Sequence, residues 1–289
     1  MTHWLLGASA MIAFAGNSLL NREALAGQHI DPSSFAFIRL ASGALALVLL
    51  HLFYFKRASN REQMPDAQHG VSWWGAVALV TYMLGFSFAY VQLDAGMGAL
   101  LLFSAVQFTM ILFAVAVAKE RFTYWQWCML VIAFAAFTLL VNPQTTGTSV
   151  VGSLLMIVAG IAWGVYSIVG KQGDPQKSTL IHFVRGTFVL IPLACLMWFI
   201  SGSVVVTHHG VVLAIISGVV TSAFGYSLWY AVVKKIATSQ AAIMQLSVPP
   251  IALVLGSLLL AERLSIDAII ISTVLLGAIL GFTIARQRY

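Results

Sequence analysis

Apolar residues run along almost the whole chain, and short groups of Pro, Gly, Asn and charged residues interrupt them at regular intervals. About 20 consecutive apolar residues are enough to cross the hydrocarbon core of a bilayer as a helix. Cutting the sequence at the interruptions leaves segments of that length, so the pattern predicts ten transmembrane helices. They cover residues 3–22, 34–55, 72–93, 96–118, 122–141, 150–170, 179–201, 210–233, 239–261 and 265–285.

Composition agrees with a lipid environment. Of the 289 residues, 60% are hydrophobic and only 8% are charged, whereas a soluble domain carries about 25% charged residues. The longest hydrophilic connection, Ser59–Gly70, is too short to fold alone. Cys128 and Cys195 lie inside apolar runs and indicate neither a disulfide framework nor a metal site. The basic residues form no patch of the kind that binds nucleic acid.

The positions of the basic residues predict the orientation, because cytoplasmic connections are enriched in Lys and Arg. An internal N-terminus leaves only Arg22 and Arg263 outside, while Arg39 and Arg185 fall within spans. Both termini are therefore predicted to be cytoplasmic. The residues placed on the cytoplasmic side are Lys56, Arg57, Arg61, Lys119, Arg121, Lys171, Lys177, Lys234, Lys235, Arg286 and Arg288.

Two segments, "TYMLGFSFAY" (Thr81–Tyr90) and "TSAFGYSLWY" (Thr221–Tyr230), share Thr, Gly, Ser and Tyr at the same offsets. Three further pairs keep the same order and similar spacing, so we predict a duplicated five-helix unit over residues 1–145 and 146–289. Five is odd, and the second unit must enter the membrane from the opposite side, as an inverted repeat. The further pairs are Ala118–Trp127 with Ala261–Ile269, Phe35–Leu45 with Ile181–Ile191, and Phe14–Ser18 with Ala162–Tyr166.

Inverted repeats let a central cavity open first to one side of the membrane and then to the other, which favours a transporter over a channel or a structural protein. The sequence has no Walker-type phosphate-binding loop and no H-E-x-x-H, so neither ATP hydrolysis nor intramembrane metalloenzyme chemistry is expected. Asp94 and Asp267 lie near span ends, and Glu120 and Glu262 lie at connections. Proton- or sodium-coupled carriers usually place an acid deep in the bundle, so facilitated transport, or coupling through a less obvious group, is predicted.

The chain resembles the EamA-type drug/metabolite transporter superfamily. The resemblance is carried by Gly16 and Gly164 in the first helix of each half, by Arg39 and Arg185 in the second helices, and by the "KER" and "AER" ends of the fourth and ninth spans. Within that superfamily it is most similar to YddG-type aromatic amino-acid exporters of the bacterial inner membrane. One departure is Gln107, which stands where the family usually has proline and the second half has Pro249.

That resemblance implies a multi-pass inner-membrane exporter of neutral, preferably aromatic, amino acids. The alternative is an exporter of other small metabolites or drugs of the same superfamily. A monomer is expected, because Gly277 and Gly281 form only a weak dimerisation pattern. No cofactor and no bound metal are expected.

Depth in the membrane indicates the first candidate site residues. Tyr82 is near the middle of its span, Phe86 shares its face at i+4, and Ser222 is its counterpart in the second repeat. A hydroxyl at that depth needs a partner or water, which favours a cavity-facing Tyr82. Tyr90 and Tyr230 lie at the ends of the same two spans and are predicted to anchor the helices at the headgroups.

The fourth and ninth spans supply a second group of candidates. An unpaired amide in hydrocarbon costs about 2–7 kcal/mol, so Gln107 either joins two helices or contacts substrate. Phe103 lies one turn earlier and could form an apolar wall, and Gln245 is its repeat counterpart. Ser247 precedes the Pro249-Pro250 pair, where a bent or broken helix is predicted to act as a hinge or half-site.

The first and sixth spans supply the remaining candidates. Trp163 stands beside Gly160 and Gly164, which either admit a neighbouring helix or leave room for a ligand. Tyr166 would extend the same wall about one turn further. Asn17 aligns near this site, with helix packing as the alternative role.

Arg39 and Arg185 have two interpretations. Each is only five or six residues from a span end, where it could reach the interface or bond to neighbouring carbonyls. If either reached the cavity, it could bind the carboxylate of a substrate.

Overall fold

The structure is a computed structural model, and it describes residues 2–58, 72–93, 95–141, 149–171, 173–202, 204–260 and 266–287. Helices joined by short connections make up nearly all of this part of the chain. Their bounds are α1 Thr2–Ala26, α2 Pro32–Ala58, α3 Trp73–Tyr90, α4 Ala95–Ala116, α5 Tyr124–Val141, α6 Val150–Val169, α7 Pro175–Ser201, α8 His208–Ile216, α9 Gly225–Val233, α10 Thr238–Gln245, α11 Val248–Leu260 and α12 Ile266–Gln287. A π-helical segment, Ser217–Phe224, joins α8 to α9 without a break.

Among the described residues, eight helical stretches are long and apolar enough to cross a membrane. They coincide with eight of the ten predicted spans. The first predicted span lies in α1 and the fifth in α5, whose apolar stretch Tyr124–Leu140 is shorter than the others. The count of ten spans therefore stays a prediction. The loop 59–70, the boundary at 145/146, and Arg61, Asp94, Glu262, Arg263 and Arg288 lie outside the described residues.

Local side-chain bonds explain where several helices begin. Ser72, Ser149 and Thr207 each precede a helix and accept a hydrogen bond from a backbone N–H of its first turn, at 3.1 Å in every case. Asp174 does the same for α7, accepting from the Lys177 N–H at 2.8 Å. These oxygens satisfy N–H groups that have no partner within the helix.

The ninth predicted span is broken, as its prolines predicted. The helix α10 ends at Gln245 and α11 begins at Val248, with a turn at Leu246–Ser247 between them. Pro249 and Pro250 occupy the first turn of α11. Proline lacks an N–H and its ring clashes with the carbonyl four residues earlier, so two adjacent prolines favour a break at this point.

Packing between the helices has a pattern of exchanged partners. The contact between α3 and α6 has its counterpart in the contact of α1 with the continuous helix formed by α8, the π segment and α9. In the same way, the contact between α4 and α6 has its counterpart in the contact between α1 and α11. The contact between α3 and α7 has its counterpart in the contact between α2 and the π segment. The helices α5 and α12 are counterparts of each other, and they pack together. Exchanging each helix of the first unit with its counterpart in the second leaves this pattern unchanged. That is the packing expected of two related five-helix units.

The interior is rich in aromatic side chains and the outside is apolar. Trp229, Tyr166 and Tyr226 are among the largest fully buried side chains, whereas Phe199 is 86% exposed and Leu258 is 75% exposed. Exposed large apolar side chains occur on most of the described helices, and extended exposed apolar surface is rare on monomeric soluble proteins. The outer surface is therefore suited to lipid, and the buried aromatic cluster lies at the centre of the bundle.

Candidate functional site

The helices surround a small central cavity of about 30 Å³. Five of the predicted site residues line it: Asn17, Tyr82, Phe86, Phe103 and Trp163. The other lining residues are Phe14, Ser18, Leu102, Tyr226 and Val248. A cavity of this size holds about two water molecules, whereas sites for small molecules measure roughly 300–1,000 Å³.

Trp163 is at the centre of the aromatic wall. Its ring centroid lies 4.8 Å from that of Tyr226, 4.9 Å from Tyr82 and 5.2 Å from Phe14. The rings meet at tilted or edge-on angles, which are the arrangements that aromatic quadrupoles favour. The lining on this side is thus a preformed aromatic surface.

The indole of Trp163 is held by a predicted site residue of the broken helix. Its Nε1–H donates to Gln245 Oε1 at 2.5 Å, and Gln245 Nε2 donates to Met110 Sδ at 3.1 Å. Gln245 is the last residue of α10, directly before the break. The structure therefore brings Trp163 and Gln245 together and joins the cavity wall to the break.

Arg39 lies fully buried beside the same wall. Its Nε donates to Ser222 Oγ at 2.8 Å and its Nη2 donates to Tyr226 Oη at 2.5 Å, while its Cζ lies 5.7 Å from the centroid of the Tyr82 ring. The interpretation that Arg39 extends to the interface is wrong, because the side chain is 0% exposed. Ser222, a predicted site residue, accepts a hydrogen bond from Arg39 and is not among the residues that line the cavity.

The guanidinium of Arg39 retains unused bonding capacity. Its Nη1 is buried and has no hydrogen-bond partner. Among the described residues, no carboxylate lies within salt-bridge distance of it. An unpaired charge in a membrane protein's interior is costly and commonly marks a functional site.

Arg185, the counterpart of Arg39 in the repeat, has different surroundings. It is half-buried, and its guanidinium lies over the ring of Trp73 at 4.5 Å from the centroid. This is a cation–π contact at the flank of the bundle. The two arginines therefore share a sequence position but not an environment.

Asn17 combines the two roles that the sequence left open. It lines the cavity, and its Oδ1 accepts hydrogen bonds from Ser217 Oγ at 2.7 Å and Thr221 Oγ1 at 3.1 Å. Both hydroxyls belong to the π segment. Asn17 thus connects α1 to the π segment at the edge of the cavity.

The other predicted site residues lie away from the cavity lining. Gln107 Nε2 donates to the backbone carbonyl of Ala242 at 2.5 Å and so joins α4 to α10. Gln107 also lines a separate groove of about 570 Å³ between α4 and α5. Tyr166 is fully buried and stacks behind Trp163 at 5.5 Å. Ser247 Oγ donates to the Met244 carbonyl at 2.7 Å.

Tyr230 does not anchor its helix at the headgroups, and that prediction is wrong. Its side chain is 0% exposed, and its Oη donates to the Tyr166 carbonyl at 3.0 Å and lies 3.3 Å from His182 Nδ1. The helices α6 and α7 cover this end of α9. The hydroxyl therefore has protein partners rather than lipid or water.

Phe14 and Tyr226 line the cavity although they were not predicted to do so, and Arg39, which the sequence left with two interpretations, lies beside them. Tyr226 is the repeat counterpart of Phe86, so the repeat alignment already contained a signal for it. Phe14 begins the segment that aligned Gly16 with Gly164. For Arg39 the signal was a charged residue within a span, and only the contacts across the two halves separate it from Arg185.

Comparison with known proteins gave consistent results. The sequence model of the EamA-like transporter family matches residues 2–142 and again residues 150–284. An uncharacterized protein of Pseudomonas aeruginosa is 41% identical over 263 residues, covering 90% of this chain and 87% of the relative. The threonine/homoserine exporter RhtA of Salmonella typhimurium is 21% identical over 255 residues, covering 87% and 81%. A solved crystal structure of another protein superposes with a TM-score of 0.76 at 14% identity, covering 99% and 98%.

Proposed function

The chain belongs to the EamA-like transporter family, and from that premise we propose that it exports neutral, preferably aromatic, amino acids through its central cavity. It is accordingly a multi-pass membrane transporter and not an enzyme. The proposal adds the substrate class, the residues that bind it and the alternating-access mechanism.

The observation that carries the proposal is the unpaired Arg39 guanidinium behind an aromatic wall. A zwitterionic amino acid offers a carboxylate, which would supply the missing counter-charge and accept a hydrogen bond from Nη1. Tyr82 and Trp163 would contact the side chain of the substrate. In the present conformation the rings of Tyr82 and Tyr226 lie between Arg39 and the cavity, so the carboxylate would replace Tyr226 as a hydrogen-bond partner.

The size of the cavity supports alternating access. At about 30 Å³ it is too small for any amino acid, so the helices must separate before substrate can enter. The turn at Leu246–Ser247 offers a place for such motion, and Gln245 connects it to Trp163. Bending at this turn would move the cavity wall directly.

Substrate chemistry separates the proposal from its runner-up. The name of RhtA says that this relative exports threonine and homoserine, which are neutral amino acids. The runner-up is export of other small metabolites or drugs of the superfamily. A cationic drug would favour a buried acid, and the mid-membrane sequence contains none. A cationic substrate therefore fits these residues less well than a zwitterionic one.

The proposed setting follows from the sequence. We propose ten spans in two inverted five-helix repeats, residues 1–145 and 146–289, with both termini in the cytoplasm of a bacterium and the chain in the inner membrane as a monomer. The exchanged packing partners support the duplication. Without a deep acid or an ATP site, transport is proposed to be facilitated.

Uptake by reconstituted liposomes tests the substrate class. Purified protein in liposomes should take up labelled Phe and Trp faster than labelled Thr and Met, and empty liposomes should not. Trp163→Ala and Tyr82→Ala should reduce uptake of Phe at least tenfold per molecule of folded, reconstituted protein. Trp74→Ala is the matched control, because Trp74 is 72% exposed on the outer surface. No flux of any of the four amino acids above empty liposomes would reject the proposal.

A further inference from the structure

Two connections from different halves run side by side at one face of the bundle. The Asp31 N–H donates to the Val205 carbonyl at 2.8 Å, and the Thr207 N–H donates to the His29 carbonyl at 2.9 Å. Between them, Ile30 and Val206 form an antiparallel bridge. The end of α1 and the start of α8 are thus fixed relative to each other by backbone hydrogen bonds.

Close packing strengthens this attachment. A Cβ atom at Gly210 would lie only 2.5 Å from the His29 carbonyl oxygen and 2.7 Å from Ile30 Cβ. Glycine is therefore required for the start of α8 to approach the connection after α1 so closely. Thr207 Oγ1 adds a donated bond to the same His29 carbonyl at 2.8 Å.

Three side chains that bind metals converge on this attachment. Glu23 Oε1 lies 3.8 Å from His29 Nε2 and 3.7 Å from His209 Nε2. The two imidazole rings lie 4.7 Å apart at an interplanar angle of 83°. One ligand atom from each of the three residues lies within 4.8 Å of the other two.

The donor set is that of a transition metal. Two imidazole nitrogens and one carboxylate oxygen are ligands that Zn²⁺ takes, whereas Mg²⁺ and Ca²⁺ prefer oxygen ligands. Ligands at zinc distances in a tetrahedron lie about 3.3–3.4 Å apart, so Glu23 Oε1 needs to approach each imidazole nitrogen by about half an ångström. The two imidazole nitrogens, which lie within 4.8 Å of each other, need to approach as well. Glu23 and His209 are exposed and His29 is partly so, which leaves their side chains free to rotate.

We propose that Glu23, His29 and His209 form a divalent transition-metal site of the zinc type, with a fourth position left to water. The metal would bridge α1 of the first half and α8 of the second, and so hold the two halves together at this face. In the proposed orientation this face is external. The inference is independent of the amino-acid substrate, because it concerns a site remote from the central cavity.

Calorimetric titration with ZnCl₂ tests the site. The full chain in detergent, with any polyhistidine tag removed, should bind one Zn²⁺ and should show no comparable heat with MgCl₂. His29→Ala, His209→Ala and Glu23→Gln should each weaken zinc binding at least tenfold. His208→Ala is the matched control, because His208 is the exposed neighbour of His209 and is not part of the set; its affinity should equal that of the wild type.

Thermal unfolding gives a second measurement that does not involve transport. Saturating Zn²⁺ should raise the unfolding midpoint of the wild type and of His208→Ala, but not that of His209→Ala, since only the intact site joins α1 to α8. The proposal is overturned if the wild type binds no Zn²⁺, if the three variants bind it as well as the wild type, or if His208→Ala loses binding to the same degree.

Discussion

Replacing Arg39 by methionine removes the buried guanidinium and keeps a long apolar side chain. In the proposed mechanism this charge exists to bind the substrate carboxylate. Arg39→Met should therefore weaken recognition of the carboxylate specifically, rather than weaken transport of every aromatic compound. The matched variant is Arg185→Met, since Arg185 holds the equivalent position in the second repeat but lies over Trp73.

The expected magnitude follows from the bonds available at Arg39. A hydrogen bond to a charged group contributes about 1.5–3 kcal/mol. Arg39 already donates through Nε and Nη2 to neutral hydroxyls and has Nη1 unused. Exchanging the bond to Tyr226 for a carboxylate and adding the Nη1 bond gives roughly 3 kcal/mol, which is on the order of a 100-fold change in affinity.

Stability should respond in a different way. Methionine removes two hydrogen bonds from Arg39, but it also removes a buried charge whose desolvation costs several kcal/mol. Because no described carboxylate compensates that charge, the unfolding midpoint of Arg39→Met in detergent should equal or exceed that of the wild type. A charge retained against stability is expected where it serves binding.

The assay is competition for uptake of labelled Phe by reconstituted protein. Unlabelled Phe and phenylalaninamide, which lacks the carboxylate, are compared as competitors. The wild type and Arg185→Met should prefer Phe by roughly 100-fold, in line with the free energy above. In Arg39→Met this preference should fall to near unity.

Two results would refute this reasoning. One is an unchanged preference for Phe over phenylalaninamide in Arg39→Met. The other is an equal loss of preference in Arg39→Met and Arg185→Met, which would mean that any positive charge in the bundle contributes alike.

Three further predictions concern other parts of the bundle. Trp163→Phe leaves Gln245 Oε1 without its donor and should lower the free energy of unfolding by about 1–3 kcal/mol. Adding Gln245→Leu should cost less than the sum of the two single losses, and additive losses in thermal unfolding would contradict the hydrogen bond. Glu120→Gln weakens the carboxylate that accepts from the Thr238 N–H at 2.9 Å and Ser239 Oγ at 2.6 Å at the start of α10, and should destabilise by about 1 kcal/mol; an unchanged unfolding midpoint would argue against this capping. Phe flux should be the same with and without a pH gradient, and strict dependence on the gradient would reject facilitated transport.

The parts of the fold that the sequence predicted are those governed by local chemistry. Apolar length predicted eight helices that the structure describes as able to cross a membrane, and Pro249-Pro250 predicted the break before α11. Each depends on residues close together in the chain. The π segment Ser217–Phe224 was not predicted, because "SGVVTSAF" contains no proline or charge that would mark a change of helix geometry.

The same distinction holds for the candidate site. Depth, helical spacing and flanking glycines predicted Tyr82, Phe86 and Trp163 respectively, and all three line the cavity. Depth also favoured Tyr230 as a headgroup anchor, because sequence does not show that α6 and α7 cover that end of α9. Arg39 and Arg185 are equivalent along the chain, and only the presence of Ser222 and Tyr226 opposite Arg39 separates them.

Counterflow of labelled Phe tests whether one central cavity opens alternately to the two sides of the membrane. Proteoliposomes loaded with excess unlabelled Phe are diluted into a trace of labelled Phe outside. A carrier with one alternately exposed cavity should accumulate label transiently above its external concentration, and Trp163→Ala should abolish this overshoot. Uptake no greater than that of empty liposomes, or simple equilibration without an overshoot as a channel would give, would contradict the account.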